Sequence, residues 1–101
     1  MIASFAQAGG LEDGISAVSR NDYVLALKKF RSAAEEGNPI AQNNLGLLYH
    51  NGQGVTQDYK EALKWYSLAA EQGHMLAQSS VGMAYHNGLG VTQDYREAVK
   101  W

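Results

Sequence analysis

The sequence predicts an all-α protein, an α-solenoid of antiparallel helix pairs. Three observations predict it. A long set of residues returns at one fixed offset of 36 positions, which is the mark of a repeat architecture. Within each copy, apolar residues recur in two successive runs at the spacing of one helix face. Proline occurs only once in 101 residues, while alanine, leucine and glycine are abundant, so little in the chain opposes helix.

The elements follow in order. Residues 1–9 read as an N-terminal tail or helix start, or as the remnant of a clipped signal sequence. Ala6-Gln7-Ala8 has the small-x-small form of a signal-peptidase site, but no basic stretch precedes it and the apolar run is short. Residues 10–37 form a variant first repeat, with Leu11, Ile15 and Val18 on its first helix and Tyr23, Ala26, Phe30 and Ala33-Ala34 on its second. Residues 38–73 form the clearest repeat. Asn38 suits an N-cap and Pro39 the first helical position, where a missing N–H costs nothing. The first helix then runs to His50, and Asn51-Gly52 can take the left-handed conformation that ends it. Val55 is an apolar plug in the loop. Asp58 caps the second helix with Glu61 as capping-box partner, and Tyr59, Ala62, Leu63, Tyr66 and Ala69-Ala70 form its buried stripe up to Gly73. Small residues at Gly46, Ala62 and Ala69 let the two helices approach. Residues 74–101 repeat the pattern, and the second helix opened by Asp94 has run about two turns at Trp101. That repeat is read as truncated, in a fragment or an incomplete product, with a fraying last turn and exposed apolar surface.

The string Ala41, Leu45-Gly46, Tyr49, Asn51-Gly52, Gly54-Val55, Gln57-Asp58-Tyr59, Ala62, Lys64-Trp65-Tyr66, Ala69-Ala70-Glu71-Gln72-Gly73 resembles the Sel-1-like repeat, a branch of the tetratricopeptide superfamily. The third unit repeats it from Ala77 to Trp101. The first unit departs from it: Gly14 lies eight residues before Asp22, whereas Gly46 lies twelve before Asp58, so its turn is shorter. The resemblance implies a right-handed superhelical stack in which the first helix of each pair lines a concave groove. Matched to the tetratricopeptide pattern, the groove-facing set is Asn43, Leu47 and His50, then Ser79, Met83 and His86. The resemblance also tilts localisation toward a periplasmic or secreted bacterial setting, with a cytoplasmic one as the alternative.

Composition and motifs exclude much chemistry. The formal net charge is -2 and the eight lysines and arginines are scattered beside glutamates, so no basic field or aromatic–basic stacking surface for nucleic acid is expected. No apolar run approaches the roughly 20 residues of a membrane-spanning helix. The chain has no cysteine, which removes disulfides, thiolate metal sites and thiol nucleophiles. His50 and His86 occupy equivalent places, but adjacent first helices about 10 Å apart are too distant for one ion, and a histidine at a helix C-terminus has the dipole as its simpler reason. No metal or cofactor is expected. Asp58/Glu61 and Asp94/Glu97 are paired carboxylates at capping positions, and Gly52-Gln53-Gly54 lacks the Lys-Ser/Thr of a phosphate loop. A cysteine-rich branch of the resembled family is linked to β-lactam binding. This chain has neither those cysteines nor a Ser-x-x-Lys element, so no enzyme is expected and a β-lactam-binding one is only a distant third reading.

What remains is a scaffold that binds a peptide or a partner helix in the groove, where Leu47 and adaptable Met83 stand beside amide and hydroxyl groups. The alternative is a structural spacer from a longer solenoid, with no ligand of its own.

Overall fold

Six α-helices follow one another in the computed structural model: α1 (Ile2–Ser19), α2 (Tyr23–Glu35), α3 (Pro39–Asn51), α4 (Tyr59–Glu71), α5 (Met75–Asn87) and α6 (Tyr95–Lys100). The structure describes residues 2–101, with side chains from Gly9 onward. The reading of Ala6-Gln7-Ala8 as a leader remnant therefore rests on side chains outside the described residues. Each helix packs on its neighbours in chain order, both within a pair and from α2 to α3 and α4 to α5. The first helices of successive pairs scarcely touch one another, which leaves a trough between them floored by the second helix.

The ends of the helices are set by local chemistry. Asn38 accepts from the amides of Ile40 and Ala41, with Pro39 in the first turn, as its short acceptor side chain suits. Gly52 and Gly88 then end α3 and α5 in the left-handed conformation, with φ of 67° and 69°, one residue beyond the His50 boundary read from the sequence. The Gln57 and Gln93 amides tie the following loop back by donating to the carbonyls of His50 and His86, each at 2.8 Å. Asp58 and Asp94 cap α4 and α6. The reciprocal half of the expected capping box is not made. The Asp58 N–H donates instead to the Tyr49 carbonyl at 2.9 Å, which leaves the Glu61 carboxylate to accept from Trp65 Nε1 and Lys64 Nζ, each at 3.2 Å.

The core is a column of small and large residues in alternation. Gly46 is what lets α3 and α4 close. A Cβ there would stand 2.7 Å from the Tyr66 ring, and one at Gly14 would stand 2.4 Å from the Phe30 ring. Around these contacts Leu45, Leu48, Ala62, Ala69 and Ala70 are buried, and Val81 takes the place of Leu45 in the third pair. Each fully buried Leu or Phe contributes about 1.5–3 kcal/mol through apolar transfer. Trp65 is buried with Tyr66, whereas Tyr59, placed in the buried stripe by its spacing, is only half-buried at the start of α4.

Successive pairs are joined by a contact the sequence pattern does not announce. Gly54 has φ +74°, and a Cβ there would lie 2.5 Å from the Tyr23 carbonyl oxygen; Gly90 repeats this against Tyr59, at 2.4 Å. The loop of each pair thus rests on the first residue of the preceding second helix, a backbone-to-backbone approach open only to glycine. Gln42 Nε2 donates to Ala34 O, and Gln78 Nε2 to Ala70 O, both at 3.2 Å. Those two bonds tie the first helix of one pair to a carbonyl near the end of the preceding second helix.

Candidate functional site

Three clefts lie at equivalent positions along the first helices, two of them in the trough between neighbours. The first lies between α1 and α3 on α2, lined by Ile15, Val18, Phe30, Asn44, Leu47 and Leu48 among others, with a volume of about 260 Å³. The second lies between α3 and α5 on α4 and has a volume of about 200 Å³. Leu47, His50, Tyr59, Leu63, Tyr66, Ser80 and Met83 are among its walls. The third, against α6, is lined by Ser79, Met83, His86, Tyr95, Val99 and Trp101 among others. Phe30 and Tyr66 occupy the same place in the first and second clefts. Leu47 belongs to two clefts and so does Met83, each a ridge between neighbours.

Five of the six residues expected to face the groove therefore line these clefts: Leu47, His50, Ser79, Met83 and His86. Asn43 does not. It is 5% exposed and its Oδ1 has no protein donor, while the equivalent Ser79 is exposed. The two histidines are not free in the trough either. The His50 ring packs edge-on against Tyr59 with centroids 5.1 Å apart, and His86 does the same to Tyr95 at the same distance. Sequence reasoning missed Ile15 and the second-helix floor of Tyr59, Leu63 and Tyr66. Ile15 is 49% exposed, Leu47 40% and Met83 61%, so each first helix contributes one exposed apolar side chain to the clefts. Ile15 sits one residue after Gly14 as Leu47 sits one after Gly46, and that register was the signal available.

Charge is the other feature of the site. No Asp, Glu, Lys or Arg lines any of the three clefts, and α3 and α5 contain none at all. The charged residues of the second and third pairs lie on α4, α6 and the loops leading to them. In the central cleft each hydroxyl oxygen takes part in a bond within the protein, and the Tyr59 O–H is left free to donate. Tyr59 Oη accepts from Gln57 at 3.1 Å, Ser80 Oγ donates to the Leu76 carbonyl at 3.1 Å, and Tyr66 hydrogen-bonds Ser80. Burial pushes the Tyr66 phenol up to about 12, with the Ser80 bond pulling the other way. Among the described residues no three His, Asp, Glu or Cys side chains gather where they could hold a metal ion, and no helix is long and apolar enough to cross a membrane.

Comparison with known proteins agrees with this architecture. The family model for the Sel1 repeat matches three times, at residues 7–38, 39–74 and 76–101. No significantly similar sequence was found among curated proteins. Among solved structures, the chain is similar to c5321, a protective antigen of uropathogenic Escherichia coli strains displaying an SLR fold, with 42% identity and a TM-score of 0.86 over 98% of this chain and 21% of that one. It is also similar to a Sel1 repeat protein from Oxalobacter formigenes, with 38% identity and a TM-score of 0.84 over 90% of this chain and 37% of that one. The cysteine rich protein B of Helicobacter pylori shares the fold at 20% identity and a TM-score of 0.73, over 93% of this chain and 81% of that one. The chain thus spans well under half the length of the first two. Three matched repeats that cover nearly all of the sequence, on a backbone shared with SLR structures, place the chain in the Sel1 repeat family.

Proposed function

We propose that the chain is a protein-interaction module that holds another protein or peptide along the trough between its first helices. The observation that carries this is the row of aliphatic side chains at Ile15, Leu47 and Met83, exposed at the rims of uncharged clefts. Nothing in the packing of the helices requires large apolar groups to stand in solvent at one register of every repeat. A contiguous apolar strip of that kind is a feature of docking surfaces.

The test is capture of partners from bacterial extract by the wild-type chain and by a Leu47→Glu, Met83→Glu variant, after circular dichroism shows both to be helical. Loss of a retained protein from the variant supports trough binding. Equal capture by both, or none by either, sinks it.

The second reading is a spacer within a longer solenoid. It is favoured by the small share of the two similar SLR proteins that this chain spans. Under that reading the two substitutions change stability a little and capture not at all.

A further inference from the structure

The tetrapeptide Tyr-His-Asn-Gly occurs twice, at Tyr49–Gly52 and at Tyr85–Gly88. Each copy ends a first helix, with its glycine as the left-handed cap. We infer that Asn87-Gly88 is a site of spontaneous deamidation promoted by His86, and that the fold spares its twin, Asn51-Gly52. An Asn-Gly bond is where this reaction meets least hindrance, because glycine has no side chain to crowd the attack of its own nitrogen. The Gly88 nitrogen gives up its proton to solvent base and bonds to Asn87 Cγ. The Cγ–Nδ2 bond then breaks, and ammonia leaves with a proton from water, which closes a succinimide. Water opens that ring at either carbonyl, to aspartate or to isoaspartate. In sum, one amide and one water become one carboxylate and one ammonium ion.

Solvent reaches both asparagines, which are exposed alike, so exposure does not separate them. Two other features do. The first is electrophilic. His86 Nδ1 lies 3.1 Å from Asn87 Oδ1, and that oxygen can only accept, so the ring nitrogen carries the proton and donates it. Negative charge gathers on the same Oδ1 as Gly88 attacks, and an N–H already aimed at it stabilises that charge. At the other copy the Asn51 amide donates to Gln53 Oε1 at 3.4 Å, and His50 packs against the Tyr59 and Tyr66 rings instead.

The second is access to the attacking nitrogen. The N–H groups of Gly52 and Gly88 donate four residues back, to the Leu48 and Ala84 carbonyls. Neither nitrogen attacks until its helix end opens. Opening α3 pulls at Leu48 and Tyr49, which are 3% and 8% exposed, and at the bond from Arg31 to the Tyr49 hydroxyl. Opening α5 moves Ala84 and a half-buried Tyr85, with Ser67 where Arg31 stands in the pair before. The helix that follows, α6, has six residues and none of them is buried.

Either product puts a carboxylate at the C-terminal end of α5, where the helix dipole disfavours it. Isoaspartate also routes the main chain through the side-chain carbon, which breaks the Gly88 cap and loosens the loop that leads to α6.

The test incubates the whole chain for days at mildly alkaline pH, folded and in denaturing urea, before digestion with trypsin. Asn51 and Asn87 then fall in separate peptides, 32–60 and 65–96, and Asn87 is the only asparagine of the second. Mass spectrometry with fragmentation follows the conversion of each. In the folded chain Asn87 should convert at least fivefold faster than Asn51. In urea the two rates should agree within twofold, since the tetrapeptides are identical. His86→Phe keeps a ring beside Tyr95 and has no N–H to donate. It should slow Asn87 at least threefold and leave Asn51 unchanged, in a variant that circular dichroism shows to be helical. Hydrogen exchange at Gly88, read by NMR, corrects that rate for any change in opening.

Equal rates in the folded chain, or a faster Asn51, overturn the inference. A fivefold difference that survives in urea also overturns it, because the fold is then not the cause. A corrected His86→Phe rate equal to that of the wild type overturns the role given to His86.

Discussion

Two glycines of one short loop answer to different physics, and substitution separates them from a third. Gly54 needs both its positive φ and the absence of a Cβ, since that atom would meet the Tyr23 carbonyl at 2.5 Å. Gly73 has φ +90° but open space around it, while Gly52 ends α3. Gly73→Ala should therefore cost about 1 kcal/mol from backbone strain alone, and Gly54→Ala roughly 2–4 kcal/mol from strain and overlap together. Chemical denaturation of the two variants measures the difference, and equal losses would contradict the loop contact. Tyr66 carries a pH dependence. Its phenol rises from the ordinary 10.0 to about 12 because the folded site disfavours the phenolate. Between those values the folded state holds a proton that the unfolded state has lost, so the contribution is complete below pH 10 and disappears as pH climbs toward about 12. It is on the order of 2 kcal/mol. In Tyr66→Phe, which matches Phe30 of the first pair, stability should fall less steeply over that alkaline window than in the wild type.

At the scale of the helix, the caps are the most readable devices and also the least uniform. Asn38 accepts two amides at the start of α3, while His74, at the equivalent place before α5, accepts only the Ala77 amide through Nδ1 at 3.3 Å. An imidazole is a longer and poorer cap than a carboxamide. His74→Asn should raise stability by a few tenths to about 1 kcal/mol, read as a rise in thermal midpoint; a fall would mean that the ring contributes packing that outweighs the cap. α6 is the weakest element. It has six residues, none of them buried, and Val99 is 86% exposed. Its amides should exchange with deuterium orders of magnitude faster than those of α3 and α4, whose buried side chains hold the middle pair. Matching protection in the three helices would refute that ordering.

At the scale of the whole molecule, the array is a chain of nearest-neighbour interfaces, each made of a loop glycine on a carbonyl, a glutamine on a helix end and a filled core between. Damage should therefore be local. Gly54→Ala should lower exchange protection in α1 and α2 relative to α4 and α5, because it weakens the interface between the first two pairs and leaves the next intact. Uniform loss across the molecule would show instead that the three repeats unfold as one unit. The same independence shapes the site. The clefts recur because the repeats recur, and α3 and α5 each contribute a wall to two of them.

The sequence by itself determined the repeat, the six helices and most of their ends. Each of these depends on residues close together in the chain: Asn38 before Pro39, Gly52 after Asn51, Asp58 before Tyr59. Matched to the tetratricopeptide pattern, it also put Leu47, His50, Ser79, Met83 and His86 on the groove side of the first helices. Tertiary structure decided what that side faces. Asn43 shares the spacing and is buried, Ile15 joins the row from the variant repeat, and the floor of Tyr59, Leu63 and Tyr66 comes from the second helix. Periodicity says which residues share a face. Which parts of that face stay open depends on where the neighbouring helix lies, and that is set by contacts such as Gly54 on the Tyr23 carbonyl. Those contacts join backbone to backbone across repeats, where no local pattern of side chains records them.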